Sequence, residues 1–114
     1  MNDKNILARS HAGMRLIALA TLYNQGDFPR IRAYLREHYT PEALEVSSPA
    51  LRLAEMREQM RTLGKVKVRQ VVAHDKHHVV VLLETQSSGL LLEDISVEVD
   101  YPHRVIAHTR QQVG

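Results

Sequence analysis

Apolar positions recur with helical spacing in the first half of the chain and with a spacing of two in the second, and the change falls at Gly64. The pattern predicts helices first and strands after. From about 9 to 24, Leu16, Leu19, Ala20 and Tyr23 share one face while Met14, Ile17 and Thr21 share a neighbouring one, so this helix is expected to be buried on two sides. Asn24-Gln25-Gly26-Asp27 then supplies a glycine to end that helix and an aspartate to cap the next. In the second helix Phe28, Ile31, Leu35 and His38 form the apolar stripe, and Pro29 falls in the first turn, where no backbone N–H is needed. Thr40-Pro41 ends it and opens a short turn through Leu44. After Ser47-Ser48-Pro49 a further helix is expected over about 50 to 63, with Leu53, Met56, Met60 and Leu63 as its stripe and Gly64 closing it.

Four strands are expected beyond Gly64, at about 65–74, 77–86, 90–101 and 104–110, joined by short turns into an antiparallel meander. The fold class is therefore α+β, in a single domain spanning 1–114. Val66, Val68 and Val72 alternate with Lys65, Lys67 and Arg69, whereas Val79 to Leu83 is apolar in both directions. Helices can cover only one face of such a sheet. A second copy of the sheet is the simplest cover for the other, so a homodimer through the sheet is expected.

Composition removes several kinds of chemistry. The chain has 114 residues, 44% of them apolar, which is enough for one core; with no Cys, it excludes disulfides, Cys-ligated zinc and thiol catalysis. The charge is only +2, and the four Tyr and one Phe do not interleave with the Lys65–Lys67–Arg69 row, so nucleic acid is not an expected partner. The longest apolar runs, Leu16 to Ala20 and Val79 to Leu83, have five residues each, too short to cross a bilayer; no membrane partner and a cytoplasmic location are expected.

Helices followed by a bent antiparallel sheet describe an α+β roll with a conical cavity. Four landmarks, in this order and spacing, carry a resemblance: Asn24-Gln25-Gly26-Asp27, His38-Tyr39-Thr40-Pro41 with Leu44, Leu63-Gly64, and Pro102-His103-Arg104-Val105. Over about 9 to 110 the chain resembles the NTF2-like (cystatin-like α+β roll) superfamily, most of all the small NTF2-like module attached to beta-lactamase-like serine hydrolases. The resemblance implies a curved four-stranded sheet cupping the helices. It implies no fixed chemistry: some members are isomerases, dehydratases or hydrolases that keep an acid or a Tyr in the cone, while others bind, dimerise or assist a partner enzyme. A partner hydrolase docked through the sheet is the third role it suggests.

Glu93 is the most informative position, because it interrupts the apolar row Leu91, Ile95, Val97, Val99 and Tyr101. In an unbroken register it faces the helices, and desolvation would raise its pKa towards that of a general base working near neutral pH. A β-bulge or an edge position would return the acid to water, and this is the preferred reading. The similar module usually carries an apolar residue here. His38, beside Tyr34 and Tyr39, could meet a ligand at the cavity mouth, although a packed helix-end histidine is the commoner situation. Asp27 is explained by its cap, and His103 with Arg104 by a tight connection. His74, His77 and His78 flank one hairpin but lack a further ligand, so no metal site is assigned and no cofactor is implied. No P-loop, dinucleotide turn or nucleophile elbow is present.

The function expected is a non-catalytic dimeric domain that binds a small apolar ligand in its cone or assists a partner protein, with Tyr23, Tyr34, His38, Met56, Met60 and Glu93 around the ligand. The alternative that the resemblance implies is a small ketosteroid-isomerase-like or SnoaL-like isomerase or dehydratase. There Glu93 abstracts a proton and Tyr34, Tyr39 or His38 stabilises the oxyanion.

Overall fold

The computed structural model describes residues 3–113. Five helices precede four strands: α1 (Asp3–Ala8), α2 (His11–Asn24), α3 (Phe28–His38), α4 (Pro41–Val46), α5 (Pro49–Leu63), β1 (Val66–His74), β2 (His78–Thr85), β3 (Leu90–Val97) and β4 (Val105–Val113). The helix starts follow from their caps. Ser10, Asp27, Thr40 and Ser48 each accept a backbone N–H three residues on, and a proline opens α3, α4 and α5. Gly26 and Gly64 take positive φ behind α2 and α5, where a side chain would be strained. No helix of the described residues is long and apolar enough to cross a membrane.

The strands form one antiparallel sheet in the order β1-β2-β3-β4. Val79, Val81 and Leu83 of β2 and Leu91, Ile95 and Val97 of β3 are buried against Leu16 and Leu19 of α2 and Ile31 and Leu35 of α3. Alternation places every second residue of β2 and β3 on this inner face, as the burial pattern of both strands confirms. Two register shifts in β1 and one in the β3–β4 ladder, between Ser96 and Val97, curve the sheet around the helices.

Three details differ from the sequence expectation. Helix α1 is an additional element, docked on α2 through Gly13, whose Cα lies so close to the Leu7 backbone that an added Cβ would collide with it. Strand β3 stops at Val97 because Glu98 turns to bind Arg104, accepting from its backbone N at 2.9 Å and its Nε at 3.0 Å, and the connection carries a cis Tyr101–Pro102 bond. Strand β4 in turn runs on to Val113.

Candidate functional site

Glu93 lies in the middle of β3, directly opposite Val81 on β2 and Arg110 on β4, with no irregularity on either side of it. The bulge expected to return this acid to water is absent. Since Leu91 and Ile95 face the helices, Glu93 must face them too, and it is 1% exposed. A lone carboxylate in such a place would be prohibitively costly. Glu93 is instead paired from β4: Oε1 accepts from Arg110 Nη2 at 2.8 Å and from His108 Nε2 at 2.6 Å. Burial pushes its carboxyl pKa up, but the charge of Arg110 and the hydrogen bond and charge of His108 outweigh burial and hold it at about 2. The expected upward shift is thus reversed, and Glu93 stands as an ionised, paired carboxylate.

The ionised carboxylate can only accept, so in the neutral imidazole Nε2 carries the proton and Nδ1 holds the lone pair. Nδ1 lies 2.7 Å from the Tyr39 hydroxyl, accepting from it in this form and donating to it when the imidazole is charged. Tyr39 is positioned by a bridge between α3 and the sheet, where Thr40 N donates to Val105 O at 2.9 Å. Burial raises the Tyr39 phenol far above its ordinary range and keeps it protonated. On the other side, Arg110 Nη1 donates to Gln59 Oε1 on α5 at 3.0 Å, and the guanidinium lies 5.4 Å over the Tyr23 ring. A chain of five polar side chains therefore runs from Tyr39 through His108, Glu93 and Arg110 to Gln59. Among the described residues, Glu93 Oε2 and Arg110 Nε have no hydrogen-bond partner, so the chain keeps both accepting and donating capacity.

Gln59, His108 and Arg110 of this chain form the floor of a cavity of about 570 Å³ between α5 and the strands β3 and β4. Val46, Met56, Leu63 and Leu91 give it apolar walls, while Arg52, Gln59, His108 and Arg110 give it polar ones. Arg52 is 8% exposed, and its guanidinium stacks 5.1 Å over the Tyr39 ring. Its Nε and Nη2 donate to the Ser47 and Ala43 carbonyls at 2.8 and 2.9 Å, at the carboxyl end of α4 where a cation is favoured. Arg52 has no carboxylate partner among the described residues.

Of the residues expected around a ligand, Met56 lines this cavity, Glu93 lies under its floor, and Tyr23 is buried beneath Arg110 with its hydroxyl on Gly64 O at 2.8 Å. Met60 packs against the core without lining the cavity. Tyr34 and His38 are not brought to Glu93. Because Ile31 and Leu35 take the inner face of α3, these two rings pair with each other, centroids 4.4 Å apart, and Arg15 donates to Tyr34 Oη at 3.3 Å. Burial and the Arg15 charge hold the His38 imidazole below its usual range, against the opposing effect of Glu37. At the hairpin, His74 is exposed and His78 pairs with Asp94 at 2.7 Å, so these two histidines do not converge with His77. Asp27 caps α3 as expected.

The groups that sequence reasoning missed are Arg52, Gln59, His108 and Arg110. His108 and Arg110 are two residues apart on the last strand, so they share a face, and a basic pair there is the signal that an inward acid on the neighbouring strand has partners.

No protein-family model matches the chain, and no curated protein matches it in sequence. Among solved structures it is similar to the crystal structure of a SnoaL-like protein of unknown function from Burkholderia thailandensis, with a TM-score of 0.57 and 19% identity over 91% of this chain and 96% of that one. Helices followed by a curved four-stranded antiparallel sheet, superposable on that structure over nearly its whole length, give this chain the NTF2-like, SnoaL-like α+β fold.

Proposed function

We propose that the chain binds a small amphipathic acid in the cone, its anionic group at Arg52 and its apolar body along Met56, Leu63 and Leu91. The carrying observation is Arg52 itself: a buried cation in a cavity wall, held by backbone carbonyls and a ring face and lacking an anion to neutralise it. A purely apolar ligand would leave that charge uncompensated. The cavity, about 570 Å³, is within the range of small-molecule sites; Val46, Met56, Leu63 and Leu91 give it an apolar strip, and the rest of its wall is polar, with Glu55 and Glu58 among the lining residues of α5. Thermal-shift titration at pH 7.5 with medium-chain and aryl carboxylates, each compared with its own primary amide, tests this. The acids should raise the melting temperature and the amides should do so much less, since binding to the folded state must stabilise it. Equal shifts for acid and amide would remove the role given to Arg52.

A second reading, isomerisation or dehydration, is favoured by the Tyr39–His108–Glu93 chain at the cavity floor. In it Glu93 positions the imidazole, and a substrate proton reaches His108 Nδ1 through the Tyr39 hydroxyl, which takes it up as it gives its own to the ring. Uptake of solvent deuterium next to the carbonyl of a bound keto acid, lost in His108→Ala, would distinguish turnover from binding.

The reading includes a homodimer through the outer face of the sheet. Half-buried Val80, Leu82 and Leu92 form an apolar centre there, and the His78–Asp94, Lys67–Glu84 and Arg69–Glu84 pairs frame it. An apolar centre within a charged rim is the anatomy of a protein interface.

A further inference from the structure

At the end of the fold defined by the start of α2, the β1–β2 turn and the β3–β4 connection, three histidines from three separate segments converge. His11 is the first residue of α2, His77 lies between β1 and β2, and His103 lies between β3 and β4. One ring nitrogen from each lies within 4.8 Å of the other two. We propose that His11, His77 and His103 form a binding site for a divalent transition-metal ion of the zinc class.

The backbone around the three rings is locked. Ser10 Oγ, the cap of α2, donates to Asp75 O at 2.6 Å, and Ala12 N donates to Lys76 O at 3.3 Å, tying the helix start to the hairpin. Val97 N donates to His77 O at 2.9 Å, joining the hairpin to the end of β3. Arg15 then fixes the last segment, donating from Nε to His103 O at 3.1 Å and from Nη2 to Pro102 O at 2.8 Å. The backbone that carries the three imidazoles is therefore preorganised by contacts that do not use their rings.

The chemistry of the rings fits a metal. His103 Nδ1 lies 3.0 Å from Glu98 O, and a carbonyl can only accept, so Nδ1 carries the proton and Nε2 presents its lone pair. This is the arrangement in which a ligating histidine is oriented by a backbone carbonyl behind it. His11 and His103 stack with centroids 3.7 Å apart and planes 13° from parallel, so the two rings are held close but their in-plane lone pairs must be turned by side-chain rotation to meet one ion. Metal–imidazole bonds of about 2.0–2.1 Å require ligand nitrogens roughly 3.3 Å apart in a tetrahedron, so side-chain rotation alone closes the set. Three neutral imidazoles suit zinc, copper or nickel rather than magnesium or calcium. A fourth position would open towards the groove lined by Met14, Tyr34 and Tyr101 beside His11 and His103.

The test is calorimetric titration of the full chain, free of any polyhistidine tag, with Zn²⁺ alone, beside the variants His11→Gln, His77→Gln, His103→Asn and His74→Gln. Asn tolerates the positive φ of residue 103. One Zn²⁺ per chain is expected, with affinity reduced about tenfold or more by each of the first three substitutions and unchanged by His74→Gln. Imidazole ¹H–¹⁵N spectra of the unmodified chain give a readout that needs no variant: Zn²⁺ should move the ring signals of His11, His77 and His103 and leave those of His38 and His108 in place. Binding that His74→Gln weakens equally, or Zn²⁺ that perturbs none of the three rings, would overturn the proposal.

Discussion

A carboxyl group buried among aliphatic side chains can exist neutral, or charged and paired, and Glu93 takes the second course. Its folded pKa of about 2 lies below the ordinary 4.5, so between those values the unfolded chain binds more protons than the folded one. The stabilisation is complete above pH 4.5 and is lost as pH falls towards 2; a shift of this size corresponds to about 3 kcal/mol. Urea unfolding of the natural chain should therefore show stability falling through this window, and Glu93→Gln should remove that part of the slope. Arg110→Met, which leaves the buried carboxylate with His108 alone, should cost about 3–5 kcal/mol, whereas loss of an exposed pair such as Glu58–Arg61 should cost far less. The alternation of β3 offered the inward direction of Glu93, yet the reading preferred from sequence turned it out through a bulge, and its charge state was not legible at all. Alternation shows which face a residue takes; only the pairing of Glu93 with Arg110 shows what stands opposite, and that depends on where two strands meet.

The elements were most legible where chain chemistry acts locally. Asp27, Thr40 and Gly64 mark helix boundaries because a cap or a positive φ is a property of one or two residues. Helix α1 has six residues, too few to be stable by propensity, and it exists by packing on α2, which no local pattern reports. Beyond Val97 the alternation of Val99 and Tyr101 continues to imitate a strand, but Val99 is 71% exposed and the bonds between Glu98 and Arg104 turn the chain away. The docking of α1 predicts an inverted outcome for a familiar substitution. Gly→Ala inside a helix ordinarily stabilises by about 1 kcal/mol. At Gly13 the new Cβ would strike the Leu7 backbone, so Gly13→Ala should destabilise by about 1–3 kcal/mol in urea unfolding, and a gain in stability would show that α1 does not pack there.

On the scale of the whole molecule, one face of the sheet holds the core and the other is left with Val80, Leu82 and Leu92 at its centre, as the apolar run of β2 implied. Light scattering at micromolar concentration should give twice the 13.0 kDa of one chain, and Leu82→Lys with Leu92→Lys should return it to one chain without loss of fold. The cone was legible as a consequence of helices on a curved sheet. Its polar floor was not, because it is assembled from the end of α3, α5, β3 and β4, which are distant in sequence. The central claim is that the cone takes an acid at Arg52. An NMR titration of the isotope-labelled chain with octanoate tests it most directly: the Arg52 side-chain N–H and the Met56 methyl should shift together and saturate together. Shifts that bypass both groups, or that fall on the outer face of the sheet, would contradict it.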